Sequence, residues 1–313
     1  MAMNSTNSSV LLTVGLKKII DEQYALNQSI METIFNINTS TKAYEEWAEM
    51  GGIGPAEVKV EGSPIIYKDT NIFNPKRITF TTYGLGMRAT QEAKEDDQYG
   101  KLKNLAKLIG RAHRARRNLE MANIFNGAFV TTLNTGRDNL ALASASHTLS
   151  NPTYVYPSTT IPNARTTTTW SNYPTAADLD YISFTDAVTL LIRTPDESGE
   201  YINISPKWLV TAPENWVVAS ELLKSTLRPD TANNNINAAQ GMVTPVWDPL
   251  LFDTDAWFLV ADKSQHDLQF FDRRKFSTKS EDDFDTGDTL YKGDMRIGAG
   301  FGSARGVVCN PGA

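Results

Sequence analysis

The residues best suited to move protons near neutral pH are His113, His147 and His266, and they are isolated from one another along the chain. None sits in H-E-x-x-H or a comparable metal-ligand spacing. Ser146 directly precedes His147, yet sequence neighbours rarely form a nucleophile–base pair, and no G-x-S-x-G elbow surrounds them. The run GAGFGSARG at 298–306 fails the dinucleotide pattern, which needs glycine at Ser303 or Arg305, and too few residues follow for a phosphate-binding helix. Its glycines instead suit a strand approached closely by another backbone. The stretch EDDFDTGD at 281–288 holds five carboxylates in eight residues but lacks the spacing of a calcium loop and reads as a solvated turn. The expectation is a chain with no catalytic residue, no cofactor and no metal.

The strongest local charge signal is KLKNLAKLIGRAHRARR. It carries Lys101, Lys103, Lys107, Arg111, Arg114, Arg116 and Arg117 with no acid between them. On a helix, seven cations around an apolar stripe could grip phosphates, an anionic membrane or an acidic protein surface. The whole chain is acidic, with 30 Lys and Arg against 36 Asp and Glu and a net charge of −6, so contact between subunits is favoured over nucleic acid. One cysteine, Cys309, excludes an internal disulfide and any Cys-based zinc site. The apolar run Val10–Leu16 is far shorter than a membrane span and is followed, not preceded, by Lys17 and Lys18, the reverse of a signal peptide.

These side chains need elements to hold them. Residues 1–9 are polar and read as disordered; 15–36 have helical spacing, and 10–50 read as an arm with some helix. Residues 56–90 are rich in β-branched and aromatic residues, with Gly62, Pro64 and Asn74-Pro75 as punctuation. They predict a projecting two-stranded ribbon, with strands near Glu57–Glu61 and Arg77–Tyr83, stabilised between subunits. Residues 98–128 form the longest helical pattern, with a stripe through Leu102, Leu105, Ile109, Ala112, Ala115, Leu119 and Ala122, and with Gly110 permitting a bend. Residues 150–175 are dominated by Ser, Thr, Asn and Pro, and suit either a mobile loop or a segment crossing a neighbour. Beyond them lies an α/β layer. It holds helices at 176–192 and 214–224, strands in PKWLVTAP, MVTPVWD, WFLVAD and LQFFDRR, and a long final strand with one apolar face and one nearly bare.

Taken in series, an arm, a long β-loop, an oversized helix, an α/β layer and a glycine-rich last strand resemble the major capsid proteins of tailed bacteriophages. EAKEDDQYGKLKNLAKLIGRAHRARRNLEMANIFNGAF resembles their spine-helix region. LASASHTL and PKWLVTAPENWVVASELLKS resemble the segments that follow it, including those of Mu-like major head subunits. FDTGDTLYKGDMRIGAGFGSARGVV resembles their closing strand. The resemblance implies an α+β chain of the Hong Kong 97-type capsid fold: N-terminal arm 1–50, E-loop 51–95, P-domain 96–177 with spine helix 98–128, A-domain 178–275, and a closing P-domain strand with C-terminal return at 276–313.

The same resemblance implies hexamers and pentamers closing into an icosahedral or prolate shell around double-stranded DNA. Partners would be further copies of the chain, a portal protein, separate scaffold or decoration proteins, and packaged DNA through weak non-specific contact, with no membrane. The place of action would be the virion capsid, with assembly in the host cytoplasm. Inter-subunit contact candidates are Lys59, Lys68, Arg77, Phe80, Arg111, Arg114, Arg116 and Arg117; DNA-facing candidates are Lys101, Lys103 and Lys107. Some relatives cross-link through an E-loop lysine, and Lys59, Lys68 and Lys76 stand in that region. The competing readings are an encapsulin-type compartment of the same fold, a nucleic-acid-binding module using helix 101–117, and a hydrolase centred on Ser146 and His147.

Overall fold

The computed structural model describes the chain outside residues 1–4, 27, 49–55, 57, 66, 68–74, 91, 93–98, 150–167, 229–234 and 284; at 5–14 and 99 it describes backbone alone. Lys68 and most of the Thr/Pro-rich stretch therefore lie outside the described residues. Helix α1 (Ser5–Leu26) starts inside the segment expected to be disordered. Nothing in residues 5–14 breaks a helix, and propagation from a docked turn costs little. The docked turn is that of Leu16 and Ile20, both buried against α3 (Tyr99–Asn126). From Leu16 onward, α1 packs on its own subunit.

Gly110 explains how α1 comes so close. A Cβ there would collide with the Ile20 carbonyl and lie 3.0 Å from Gln23 Cβ, so the glycine marks a helix crossing rather than a bend. Gly110→Ala should gain about 1 kcal/mol of helix propensity yet push α1 off its seat. The expected result is faster tryptic cleavage at Lys17 and Lys18 with the rest of the chain still protected; unchanged cleavage would refute this role for the glycine.

Two four-stranded sheets carry the fold. The first has the order β1 (Asn36–Thr39), β10 (Leu268–Asp282), β11 (Thr289–Phe301), β4 (Thr81–Ala89), with β1–β10 parallel and the other pairs antiparallel. The second has the order β12 (Val307–Asn310), β9 (Trp257–Ala261), β7 (Pro206–Thr211), β8 (Thr244–Trp247). All five residues of β9 are buried because both its faces are covered. Phe258 and Val260 join the core shared with α2 (Met31–Ile34), α3 and β10. Trp257, Leu259 and Ala261 meet α4 (Tyr181–Ile192) and α5 (Trp216–Lys224) on the other side. Helix α4 begins at Asp180, whose side chain caps Ser183 N–H while the Ser183 hydroxyl caps Asp180 in return.

The expected ribbon is built differently. Residues 58–60 form no strand, and Arg77–Tyr83 is split between β3 (Lys76–Thr79) and β4, with Phe80 between them. β3 pairs with β2 (Tyr44–Trp47), and β4 pairs with β11. Ile78 and Phe80 are buried against Phe271 and Trp47 of the same subunit, so Phe80 is a core residue and not the inter-subunit contact the sequence suggested. The bare face of β11 makes room for this. A Cβ at Gly298 would lie 2.6 Å from the Thr79 carbonyl, and one at Gly300 3.0 Å from Ile78. Gly298 thus serves the close backbone approach expected of these glycines, whereas Gly300 makes room for the Ile78 side chain.

Candidate assembly surfaces

Helix α3 was expected to bury its alanine–leucine stripe and present its cations outward. The structure turns it otherwise. Leu102, Ala106, Ile109, His113, Arg117, Met121 and Ile124 face inward, whereas Leu105, Leu108, Ala112 and Ala115 are exposed. The reason is a buried charge network that outweighs the apolar pattern. Arg117 donates to both carboxylate oxygens of Asp272 on β10, and its Nε donates to Glu32 at 2.8 Å. Arg114 reaches the same Glu32 oxygen at 2.8 Å. Burial opposes the charge on Arg117, but the bonds to Asp272 and Glu32 more than offset it, and the guanidinium holds its proton more firmly than an ordinary arginine. Arg114 and Arg117 therefore fasten α2, α3 and β10 together inside one subunit, buried there rather than presented to neighbours as the sequence suggested.

The remaining cations differ. Arg116 is half-buried, ion-paired with Glu120 and hydrogen-bonded to the Tyr83 hydroxyl at 2.9 Å. Lys103 is partly buried. Lys101, Lys107 and Arg111 are exposed and form no ion pair among the described residues. Lys59 is exposed in the 58–67 loop; Arg77 is exposed and bonds Glu46 at 2.6 Å while stacking 3.8 Å over the Tyr44 ring. Beside Arg111 runs an open groove of about 920 Å3, lined by Leu108, Ala112, Ala115, Ile30, Trp247 and Leu250. A second apolar surface lies in the loop itself, where Val58 is 93% exposed and Tyr67 91%, with Val60 and Ile65 also in water. Sequence periodicity missed the groove because its Trp247 comes from a distant strand.

The hydrolase reading fails on geometry. His147 Nδ1 sits 2.6 Å from Asp138 Oδ2, and Nε2 sits 3.1 Å from Asn172 Oδ1. Both ring nitrogens are occupied, which leaves none to take a proton from Ser146. His266 is buried as well, and burial pushes its imidazole down to about 4. Its Nδ1 accepts the Leu268 N–H at 3.2 Å. His113 spans the Ile109 and Gly293 carbonyls. Among the described residues no group of His, Cys, Asp or Glu is placed to hold a metal, and no helix is long and apolar enough to cross a membrane.

What remains is exposed apolar surface and an internally braced long helix, with no reaction centre assembled by the three histidines. Comparison with known proteins accords with that picture. No curated protein matches the sequence. Among solved structures, the procapsid of bacteriophage JBD30 aligns over 98% of this chain and 76% of its own at 16% identity and a TM-score of 0.53. The capsid of cyanophage P-SCSP1u aligns over 91% and 88% at 10% identity and a TM-score of 0.59. A structure of Mycobacterium phage Patience aligns over 96% of this chain and 85% of its own at 10% identity and a TM-score of 0.54. Identities this low speak to the fold, which is the Hong Kong 97-type fold of tailed-phage capsids. The family model for phage capsid proteins matches residues 74–310, most of the chain, and this protein therefore belongs to the phage capsid protein family.

Proposed function

We propose that this major capsid protein builds its shell by laying the 58–67 loop of each subunit, and the groove along α3, against neighbouring copies. The observation that carries the reading is the loop itself. Val58, Val60, Ile65 and Tyr67 stand in water in the single subunit, and burying each would contribute on the order of 1–2 kcal/mol. A projection of this kind gains that energy only on another molecule, and heterologous contacts that close into rings assemble hexamers and pentamers. The wider partition into N-terminal arm, E-loop, P-domain and A-domain belongs to the same proposal. So do a portal protein, separate scaffold or decoration proteins, and double-stranded DNA as the packaged content. Exposed Lys101, Lys107 and Arg111, with Lys103, supply cations for weak, salt-sensitive contact with phosphates. The phage-capsid family match favours a virion over an encapsulin-type compartment.

The structure narrows the test to the loop, because a longer deletion would remove Ile78 and Phe80 from the core. Replacing Val58, Val60, Ile65 and Tyr67 together by Ser should leave the melting temperature of the isolated subunit within a few degrees. It should abolish stable shells in negative-stain electron microscopy. Normal shells from this variant would remove the loop from the interface.

A further inference from the structure

The hairpin joining β10 and β11 ends in an acidic turn whose carboxylates are unequally used. Asp288 is buried and ion-paired with Arg88 of β4, while its carbonyl accepts the Asp283 N–H at 2.8 Å. The Asp283 carboxylate accepts the Asp285 N–H at 3.1 Å, and that of Asp282 accepts the Thr289 hydroxyl. These bonds give the turn a defined shape. They leave Glu281 and Asp285 exposed, with no ion pair for either among the described residues. Strand β4 makes its last pair at Ala89, opposite Thr289, so the turn reaches beyond the part of the sheet that β4 covers. The cations of the hairpin lie behind the turn: Lys279 and Lys292 stand directly opposite each other across the strands, and Arg88 is engaged by Asp288. Negative charge is therefore gathered at the tip, with Leu290, 41% exposed, opposite Glu281.

The opposite composition sits on α3. Lys107 and Arg111 are exposed one turn apart, and Leu108, 56% exposed, lies a turn from Arg111. No acid occurs anywhere between Lys101 and Arg117 to neutralise them from the same helix. A subunit cannot bring its own tip to this face. The inner side of α3 lies on β11, where Ala106 and Ile109 cluster with Tyr291 and His113 meets the Gly293 carbonyl at 3.0 Å. Lys107 and Arg111 point away from that contact, into solvent.

We infer that the acidic turn of one subunit seats on the Lys107–Arg111 face of a second copy, with Leu290 against Leu108, and that this head-to-tail contact helps to close the shell. The inference rests on the shell-building reading above and narrows it, giving Lys107 and Arg111 to a neighbouring subunit and leaving Lys101 and Lys103 for phosphates. A phosphate backbone would satisfy the two cations but gain nothing from the leucine beside them, whereas the turn brings carboxylates and an exposed leucine together. Exposed ion pairs are individually weak, so the charges set partner choice and register while the apolar contact adds affinity. Two different patches of one chain that meet on neighbouring copies form a heterologous contact, the kind that closes into rings.

Shells assembled from a mixture of unlabelled and 15N-labelled parent protein, treated with a carbodiimide that joins carboxylates to amines without a spacer, test the contact directly. Mass spectrometry should find the Lys107 peptide joined to the peptide carrying Glu281 and Asp285 in isotopically mixed pairs. Parent shells without that cross-link contradict the inference. Charge reversal is the second arm. Lys107→Glu with Arg111→Glu, and Glu281→Lys with Asp285→Lys, should each lose shells at low ionic strength while unfolding in urea like the parent, since all four side chains are exposed. All four substitutions together should restore shells, because the contact again joins opposite charges. A fourfold variant as defective as either pair, or either pair assembling like the parent, overturns the inference; normal shells that lose only their DNA on helix reversal would give this face to the genome. If a reversed pair fails to fold, the parent cross-link still decides. A parent that forms no shells sinks the shell-building reading and this contact with it, whereas parent shells lacking the cross-link sink this contact alone.

Discussion

Arg117→Met is expected to destabilise the subunit by about 3–5 kcal/mol, because it leaves Asp272 buried without its paired cation and weakens the hold on Glu32. The midpoint of urea unfolding should fall accordingly, with the slope of the transition unchanged. Replacing the partner as well separates lost attraction from stranded charge. In Arg117→Met with Asp272→Leu most of the loss should return, since a buried pair exchanged for apolar groups of similar volume is often close to neutral. A single variant as stable as the parent, or a double variant no better than the single, would show that the network does not brace α2, α3 and β10 as described. Reversing Arg111 to Glu, by contrast, should leave unfolding unchanged, because that side chain is exposed and makes no ion pair among the described residues.

Gly298→Val should cost about 3 kcal/mol by forcing β3 off the bare face of β11, where a Cβ would lie 2.6 Å from the Thr79 carbonyl and 2.9 Å from the Phe80 ring. The damage should be local. Amide exchange should rise along β2 and β3, and Trp47, which packs at 5.5 Å from Phe271, should become more exposed to a fluorescence quencher. Gly84→Ala is the control: the nearest atom to its Cβ is 3.6 Å away, an ordinary contact, so stability should hardly move. Equal effects from the two substitutions would mean that close approach is not what the Gly298 position requires.

How far the sequence could be read follows from which signals are local. The continuous apolar run of β9, the alternation of β11 and the helix at 216–224 were legible because burial on two faces, one face or a stripe leaves a direct imprint on residue order. The phase of α3 was not. Arg114 and Arg117 occupy its inner face because Glu32 and Asp272 await them there, at 82 to 155 positions away in sequence, and His113 faces the Gly293 carbonyl, 180 positions away. The ribbon failed for a related reason: period-two alternation identifies a strand but not its partner, and β3 and β4 each chose a different one. Ser146 beside His147 drew attention through adjacency, whereas Asn172, which fixes the ring, sits unmarked in a polar tract. The glycines at 298–302 were readable as places of close approach, though not as the seat of β3. Val58, Val60, Ile65 and Tyr67 were legible as apolar residues with nothing local to cover them, and in the subunit they stand in water.

Electron microscopy of the purified protein across a concentration series tests the central claim most directly. The account predicts closed shells, or rings and curved sheets of subunits, from the parent chain. It predicts folded, dispersed subunits when Val58, Val60, Ile65 and Tyr67 are replaced by Ser. A parent protein that stays monomeric at every concentration, with the loop apolar residues still in water, would contradict it.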